Sequence, residues 1–231
     1  MSVTLVSRED WLIQRKALLE REKAFTKERD ALSAARRGMP LVLINYTYEF
    51  DTTDGTKSLS DLFKGKSQLI TNHFMFGPDW QEGCPSCSFF SDSYDRAVEH
   101  LAARDTAFVT VSNAPLDVLL GYRDRLGWTF DWVSAVGTTF GRDFGVTFEA
   151  DEMDGTGYNY GKRPYGSESP GLSTFVKLAD GRIAHSYSCY GRGLDILNTA
   201  YNLLDLTHKG RDEDELPYPM GWVQRRDTYS R

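Results

Sequence analysis

Two cysteines separated by two residues are the part of this sequence best suited to chemistry. Cys84 and Cys87 stand in the segment "GCPSCSFF", with Pro85 and Ser86 between them. A C-x-x-C pair can exchange electrons with another dithiol, bind a metal, or simply pack in the interior. Because the thiolate is the species that attacks a disulfide, the nucleophilic cysteine needs a pKa below its usual value of about 8.5.

The residues around the pair indicate that it opens a helix. Pro85 favours the first turn of a helix, because its missing N–H donor would be unpaired there in any case. The free N–H groups of a helix N-terminus lower the pKa of a thiol at that position. A strand predicted at about 67–74 precedes the pair. We therefore expect Cys84 to be the nucleophile and Cys87, one turn later, to be the resolving thiol that closes an intramolecular disulfide.

A zinc site is the main alternative use of these cysteines. His185 and Cys189 are four residues apart on a predicted strand, a spacing that places two side chains on the same face. Together with Cys84 and Cys87 they would supply four ligands of the type that Zn²⁺ prefers. A third possibility is a non-catalytic dimeric module whose cysteines sense or bind a ligand. The residues alone leave these alternatives open.

Several residues near the pair are candidates for auxiliary roles. His73, at the end of the predicted strand, would assist proton transfer or contact the backbone. Glu82 would raise the pKa of Cys84 if its carboxylate lay close, so we expect it to point away or to relay protons. Trp80 also precedes the thiols. Arg192, in a Gly-Arg-Gly bend, would hold an acidic substrate group or a structural carboxylate.

The thiols need a sheet and flanking helices to position them, and the periodicity of the chain predicts both. Further strands are expected at 107–112 and in "TFDWVSA", helices at 88–104, 116–126 and 194–206, and a β-hairpin at 172–190 around an Asp-Gly turn. This order of elements is that of a thioredoxin-like α/β fold with a central mixed sheet flanked by helices. In that fold a C-x-x-C pair lies just past a central strand, where the first helix begins.

The N-terminal region, residues 1–40, is predicted to form a separate helical arm. Residues 7–37 contain neither Pro nor Gly, and Ser7 followed by Asp10 resembles a capping box. An apolar residue recurs every seven positions, at Trp11, Leu18, Phe25 and Leu32. Such an arm would pack on its own domain or reach over a second subunit and form a homodimer.

The rest of the chain is predicted to be one domain and a tail. Residues 41–215 form the thioredoxin-like domain, with an irregular insertion at about 137–170 that is rich in Gly, Asp, Tyr and Thr. A long insertion of this type is usually a binding loop or a surface flap. Residues 216–231 are predicted to be a tail that wraps the surface.

Composition limits the class of function. The 231 residues include 33 acidic and 27 basic side chains, for a net charge of −6, so nucleic-acid binding is not expected. The absence of a secretory signal and of any run of about 18 apolar residues predicts a cytoplasmic protein without a membrane segment. Three cysteines argue against a disulfide framework. Without a dinucleotide fingerprint or a P-loop no cofactor is implied, so reducing equivalents would come from a partner dithiol. The expected partners are a dithiol or disulfide protein or a small thiol substrate.

The sequence also resembles a known group, the bacterial thioredoxin-like family of predicted dithiol-disulfide oxidoreductases catalogued as domain of unknown function family 899. The resemblance covers nearly the whole chain and rests on "DWLIQRKALLEREK", "SLSDLFKGKSQLITNHFMFGPDWQEGCPSCSF", "LGWTFDWVSA", "YNY", "GLSTF" and "HSYSCYGRGLDILNTAYNLLDLTHKGRDE". It implies a thioredoxin-like fold and assigns the C-x-x-C roles to Cys84 and Cys87. Where thioredoxins carry a cis-proline facing the dithiol, "LSTF" places Ser173, and Cys189 replaces a threonine that is common in relatives.

Overall fold

The N-terminal unit is one long helix. The computed structural model describes residues 3–230 and divides into two compact units after Pro40. Helix α1 spans Arg8–Arg37, and none of its residues is buried. Ser7 Oγ accepts the N–H of Asp10 at 3.1 Å and donates to the Asp10 carboxylate at 2.6 Å. The predicted helix start is therefore confirmed, with the Asp10 carboxylate in the position that Glu takes in the usual capping box.

The second unit is built on an eight-stranded mixed sheet. The strand order is β1-β8-β7-β4-β5-β6-β2-β3. The strands are β1 (Val42–Leu43), β2 (Glu49–Thr52), β3 (Gly55–Ser58), β4 (Gln68–His73), β5 (Thr106–Ser112), β6 (Asp131–Ser134), β7 (Gly171–Lys177) and β8 (Ile183–Tyr190). Strands β4, β5 and β6 are parallel, whereas β7 runs antiparallel to β4 and β8 antiparallel to β7. The predicted thioredoxin-like α/β fold is confirmed.

Within residues 3–230 five short helices accompany the sheet, and two of the predicted helices differ from what is observed. They are α2 (Pro85–Tyr94), α3 (Val98–Ala102), α4 (Leu116–Arg125), α5 (Phe140–Asp143) and α6 (Thr199–Leu204). The single helix predicted over 88–104 is wrong, because α2 begins at Pro85 and is interrupted after Tyr94. The carboxylate of Asp95 instead accepts hydrogen bonds from the backbone N–H of Thr129 at 2.5 Å and from its hydroxyl at 3.0 Å.

The helix predicted over 194–206 is also wrong in its start. Residues Gly191–Leu197 form 3₁₀ turns, and α6 begins only after Asn198. The side chain of Asn198 accepts the N–H of Tyr201 at 2.9 Å, which caps the new helix. Asn198 is fully buried, so the cap is fixed by tertiary packing that the local sequence does not reveal.

The sheet separates two hydrophobic clusters. On the side that we call the dithiol face, Phe74, Phe108, Trp132 and Leu172 pack with Cys87. On the opposite face, Leu69, Val109, Val133 and Phe175 pack with Phe140. Phe108 and Val109 are neighbours on β5 but belong to different clusters, as strand alternation requires. This division decides which polar residues can reach the thiols.

The hairpin of β7 and β8 confirms the prediction around the Asp-Gly turn, but it contains a bulge. Thr174 pairs with Tyr187, whereas the next residue, Phe175, pairs with His185. Ser186 is therefore an extra residue on β8, and the alternation of faces is offset by one on either side of it.

Residues 137–170 are the least regular part of the second unit. Residues 137–170 contain α5, two isolated β-bridges and many turns. The segment follows β6 and returns to the sheet where β7 begins. Within residues 3–230 no helix combines the length and the apolar character needed to span a membrane.

Candidate functional site

Cys84 lies at the point where the loop after β4 enters α2. It is the N-cap residue of α2, and its backbone N–H donates to the carbonyl of Met75 at 3.1 Å. The preceding residue is Gly83, where a Cβ atom would lie 2.6 Å from the ring of Phe74. Only glycine allows the loop to approach the core this closely, so the core fixes the position of Cys84.

The environment of Cys84 favours its thiolate. The pKa of Cys84 is lowered to about 7, chiefly because the thiol of Cys87 donates a hydrogen bond to its sulfur. The backbone N–H groups of Cys87 and Ser86 and the positive charge of Arg225 act in the same direction, against the effect of burial. A substantial fraction of Cys84 is therefore ionised at neutral pH.

Cys87 is held in the opposite protonation state. Its side chain is buried, and its pKa is raised because it donates its proton to Cys84 and lies away from water. The negative charges of Cys84 and Glu168 add to this effect, while a hydrogen bond from the backbone N–H of Met75 opposes it. The pair thus holds one thiolate and one thiol, not joined by a disulfide. This is the state needed for nucleophilic attack followed by resolution.

The carboxylate of Glu82 is engaged by two arginines. Its two carboxylate oxygens form ion pairs with Arg125 at 2.5 Å and with Arg225 at 2.9 Å. The two guanidinium groups compensate the negative charge beside the dithiol. This geometry does not support a proton relay through Glu82. It supports a role in which Glu82 holds Arg125 and Arg225 in place.

The C-terminal tail contributes directly to this site. The Nε of Arg225 donates to the hydroxyl of Tyr122 at 2.8 Å, and its Nη2 donates to the carbonyl of Gly83 at 2.8 Å. Asp227 forms a 2.7 Å ion pair with Arg125, and Arg226 lies 3.2 Å from the carboxylate of Asp92. Three successive tail residues therefore fasten the tail to the dithiol loop and its neighbouring helices. The sequence prediction of a surface tail missed this role, because an Arg-Arg-Asp run looks like ordinary solvated surface.

Tyr122 connects α4 to the start of α2. Its hydroxyl lies 2.9 Å from Ser88 Oγ, which in turn donates to the carbonyl of Cys84 at 2.9 Å. The phenol is buried, and burial raises its pKa. A chain of hydrogen bonds therefore runs from Arg225 through Tyr122 and Ser88 to the Cys84 backbone.

Glu168 is a buried carboxyl that the sequence analysis did not single out. Its side chain accepts hydrogen bonds from Asn113 Nδ2 at 3.3 Å and from Thr147 Oγ1 at 3.0 Å. Burial raises its pKa to about 7, against the effect of these two hydrogen bonds. In the sequence it stands inside the polar string "GSESPG", which gives no sign of burial.

His73 and Ser173 lie on the opposite face of the sheet from the thiols. The His73 ring is buried near Phe140 and Phe144, with ring centroids 5.6 and 6.0 Å apart. Its Nε2 lies 2.8 Å from Ser173 Oγ, and Ser173 Oγ lies 2.8 Å from Ser188 Oγ. Burial lowers the pKa of His73 to about 3, with a smaller contribution from His185, so the imidazole stays neutral. Neither residue is placed to assist the dithiol.

The four residues of the zinc alternative are not brought together. Cys189 packs against the dithiol face, whereas His185 has its ring 5.3 Å from that of Phe144 on the opposite face. The prediction that His185 and Cys189 share a face is wrong, because the bulge at Ser186 offsets the alternation between them. Within residues 3–230 the side chains form no cluster of three or more candidate metal ligands.

Trp80 and Arg192 occupy different surroundings. Trp80 packs against the dithiol-face cluster, and its ring would lie 2.8 Å from a Cβ atom at Gly77. Arg192 is exposed, and its guanidinium is 3.4 Å from the carboxylate of Asp195. Trp80 therefore packs beside the dithiol loop, and Arg192 contacts the carboxylate of Asp195, three residues along the chain.

One known family matches this chain over nearly its whole length. The model of the family described as "Bacterial protein of unknown function (DUF899)" matches residues 1–229. A search of curated proteins gave no match.

Similar solved structures include three peroxiredoxin-type proteins. Peroxidoxin BcpB from Mycobacterium tuberculosis is 16% identical, with a TM-score of 0.44 over 65% of this chain and 83% of that chain. A mutant of PrxQ from Xylella fastidiosa is 17% identical, with a TM-score of 0.45 over 71% and 97% of the two chains. The mitochondrial 2-Cys peroxiredoxin from Plasmodium falciparum is 11% identical, with a TM-score of 0.42 over 71% and 92%. Similarity at this level does not transfer an activity.

Proposed function

The chain belongs to the DUF899 family of bacterial proteins, and we propose that it is a thiol–disulfide oxidoreductase with Cys84 as nucleophile and Cys87 as resolving thiol. The observation that supports this most is the asymmetry of the pair. The Cys87 thiol and two backbone N–H groups stabilise the Cys84 thiolate, while burial keeps Cys87 protonated. Two cysteines that only packed in the core would both be expected to have raised pKa values, because burial disfavours the thiolate.

The proposed reaction moves two electrons from the dithiol to a substrate disulfide. The Cys84 thiolate attacks one sulfur of the substrate, the substrate S–S bond breaks, and the other substrate sulfur leaves as a thiolate. A mixed disulfide now joins Cys84 to the substrate. Cys87 then gives up its proton to one of the two substrate thiolates, attacks Cys84 and releases the second substrate sulfur, so that one substrate sulfur ends as a thiol and the other as a thiolate. The products are a Cys84–Cys87 disulfide and a reduced substrate.

A second dithiol must return the protein to its reduced form. No organic cofactor is needed for this cycle, so the reductant would be a partner dithiol protein or a small thiol. We place the reaction in the cytoplasm, because the reducing thiol pool there would supply these equivalents.

The test is to trap the mixed disulfide. In a Cys87→Ser variant the intermediate at Cys84 cannot be resolved, so a disulfide-containing substrate should remain covalently attached. Intact-mass spectrometry after mixing with a disulfide peptide would show one added peptide half that dithiothreitol removes. Wild type should instead release both halves, and its mass should fall by two hydrogen atoms as its own disulfide forms.

Two variants act as controls for this experiment. Cys84→Ser should form no adduct, whereas Cys189→Ser should behave as wild type, because Cys189 has no part in the proposed reaction. If wild type reduces no disulfide, or if Cys84→Ser reduces one as fast, the oxidoreductase proposal is wrong. The non-catalytic binding module would then be the better account of the pair.

A further inference from the structure

A small cavity lies at the carboxyl ends of the parallel strands. Its volume is about 180 Å³, and its walls include His73, Asn113, Phe140, Arg142 and Glu168. The residues come from the ends of β4 and β5, from α5 and from the end of the insertion. Ligands of open α/β sheets commonly bind at this end of the strands. The insertion therefore encloses a space in a suitable place for a ligand.

The cavity wall carries a buried acid without a cationic hydrogen-bond partner. Glu168 is 5% exposed. Both groups that donate to its carboxyl oxygens, the Asn113 amide and the Thr147 hydroxyl, are neutral. A carboxylate held in this way keeps most of the desolvation penalty of its charge. A cation in the cavity would offset that penalty.

The other charged groups of the wall already compensate one another. Arg142 donates to Glu149 and to Glu152, each at 2.9 Å, so its charge is directed to the surface of the insertion. Among the wall residues, Arg142 contributes one positive charge and Glu149 and Glu168 contribute one negative charge each when ionised. The wall is thus left with one uncompensated negative charge, and it lies at Glu168.

The remaining walls suit a cation of modest size. Phe140, which is fully buried, lines part of the cavity and brings no charge to it. The imidazole of His73 is neutral, because burial lowers its pKa, so it does not repel positive charge. A volume of about 180 Å³ is below the range of roughly 300–1,000 Å³ that is typical of drug-sized ligands.

We propose that this cavity binds a single small organic cation, a primary ammonium or a guanidinium group, against the carboxylate of Glu168. The same chemistry is present in a free amine or guanidine and in the end of a Lys or Arg side chain from a partner protein. The proposal does not depend on disulfide exchange, because no step of that reaction uses the cavity. A protein without oxidoreductase activity could therefore still bind the cation, and the two ideas fail separately.

The test compares two probes of nearly equal shape and different charge. Isothermal titration calorimetry of the full chain with methylguanidinium should show one site, and methylurea should bind at least tenfold more weakly. N-acetylarginine amide, titrated in parallel, distinguishes the sources of the cation. Equal or tighter binding of the arginine derivative indicates a partner side chain, and its exclusion indicates a free small molecule.

The pH dependence provides a second readout that needs no variant. Bound cation requires ionised Glu168, so affinity should fall about tenfold for each pH unit below about 7. Of the groups near Glu168, the His73 imidazole stays neutral and Cys87 stays a thiol in this range. Arg142 is held in ion pairs with Glu149 and Glu152. Cys84, whose thiol also titrates near pH 7, is not among the residues that line the cavity.

Glu168→Gln should reduce the affinity for methylguanidinium at least tenfold at pH 8, and Asp151→Asn, which removes an exposed acid of the same insertion, should change it less than twofold. The proposal is overturned if methylurea binds as well as methylguanidinium, if Glu168→Gln binds unchanged, or if neither cationic probe binds. Should Glu168→Gln fail to fold, the pH dependence and the methylurea comparison on wild type still decide the question.

Discussion

The lowered pKa of Cys84 depends on groups that come from two separate parts of the chain. The thiol of Cys87 and the N–H groups of α2 follow it directly, but Arg225 is supplied by the tail. Hydrogen bonds from Cys87 act most strongly on the Cys84 pKa, and the charge of Arg225 acts less strongly. The local part of this environment was predictable from C-P-S-C at a helix start, and the distant part was not.

The first prediction concerns Arg225. In wild type the rate of Cys84 alkylation by iodoacetamide should rise with pH and reach half its maximum near pH 7. Arg225→Gln removes a positive charge that favours the thiolate, so the pKa should rise, by at most about one unit, and the rate at pH 7 should fall. The measurement is a pH–rate profile in a Cys189→Ser background.

Arg192→Gln is the matched control for that experiment. It also removes one positive charge, but Arg192 is 85% exposed and is not among the groups that act on the Cys84 pKa. Its profile should overlay that of wild type. An unchanged profile in Arg225→Gln, or an equal shift in both variants, would contradict the role given to Arg225.

The second prediction concerns the stability cost of Glu168. Its pKa is raised from 4.5 to about 7 in the folded protein, so between these pH values the folded state binds more protons than the unfolded state. Stability from this group therefore falls as pH rises through that window, by about 3 kcal/mol at most. Glu168→Gln removes the dependence, so its stability relative to wild type should be greater at pH 8 than at pH 5.

Urea denaturation of both proteins at the two pH values would measure this difference. Asp151→Asn, an exposed acid of the same insertion, should show a nearly constant difference from wild type across pH. A Glu168→Gln variant whose relative stability does not change with pH would mean that the carboxyl is not held protonated by burial.

At the scale of elements, the strands followed their sequence patterns more closely than the helices did. The hydrophobic periodicity of β4, β5 and the β7–β8 hairpin is a local property, and these strands lie where it indicated. The interruption after α2 depends on a contact between Asp95 and Thr129, which are 34 residues apart. The bulge at Ser186 likewise has no local signal. Contacts between distant segments therefore determine where helices are interrupted and where strands bulge, which hydrophobic periodicity does not indicate.

The third prediction concerns the tail as an element of the site. A chain ending at Gln224 lacks Arg225 and Asp227, and so loses the hydrogen bond to Gly83 and the ion pair to Arg125. The loop over residues 74–84 should then exchange its amide hydrogens faster, and the pKa of Cys84 should rise as in Arg225→Gln. Hydrogen–deuterium exchange with peptide resolution would measure the first effect.

Strands β2 and β3 supply the internal control, because they lie at the far edge of the sheet from β8. Their exchange should not change on truncation. A uniform acceleration over the whole sheet would indicate global destabilisation and would contradict a local role for the tail.

At the scale of the whole molecule, α1 presents apolar side chains to its surroundings. Trp11, Leu18, Phe25 and Leu32 have exposed fractions of 44%, 46%, 67% and 49%. Exposed apolar residues that recur along one helix are typical of an interaction surface. The helix and its seven-residue repeat were both predictable from the sequence, whereas the surface that covers this apolar face was not.

We propose that α1 mediates a homodimer by pairing with the same helix of a second chain. The repeat of seven positions keeps the apolar residues on one side of the helix, as association of two helices requires. Each heptad contributes only one residue to this repeat, and Leu12 and Leu19 add a neighbouring apolar residue in the first two heptads. A seam this narrow buries little area, so the dimer should be weak and its population should depend on protein concentration.

The fourth prediction follows from this seam. Light scattering coupled to size exclusion should give a mass that approaches twice the 26.2 kDa of one chain as the loading concentration rises. Phe25→Glu places a charge in the middle of the seam and should hold the mass at one chain at all concentrations. Lys27→Glu also introduces a glutamate into α1, two positions from Phe25 and outside the repeat. Its dimer dissociation constant should lie within about threefold of the wild-type value. A monomeric wild type, or equal dimerisation of Phe25→Glu, would assign the apolar face of α1 to something other than a second copy.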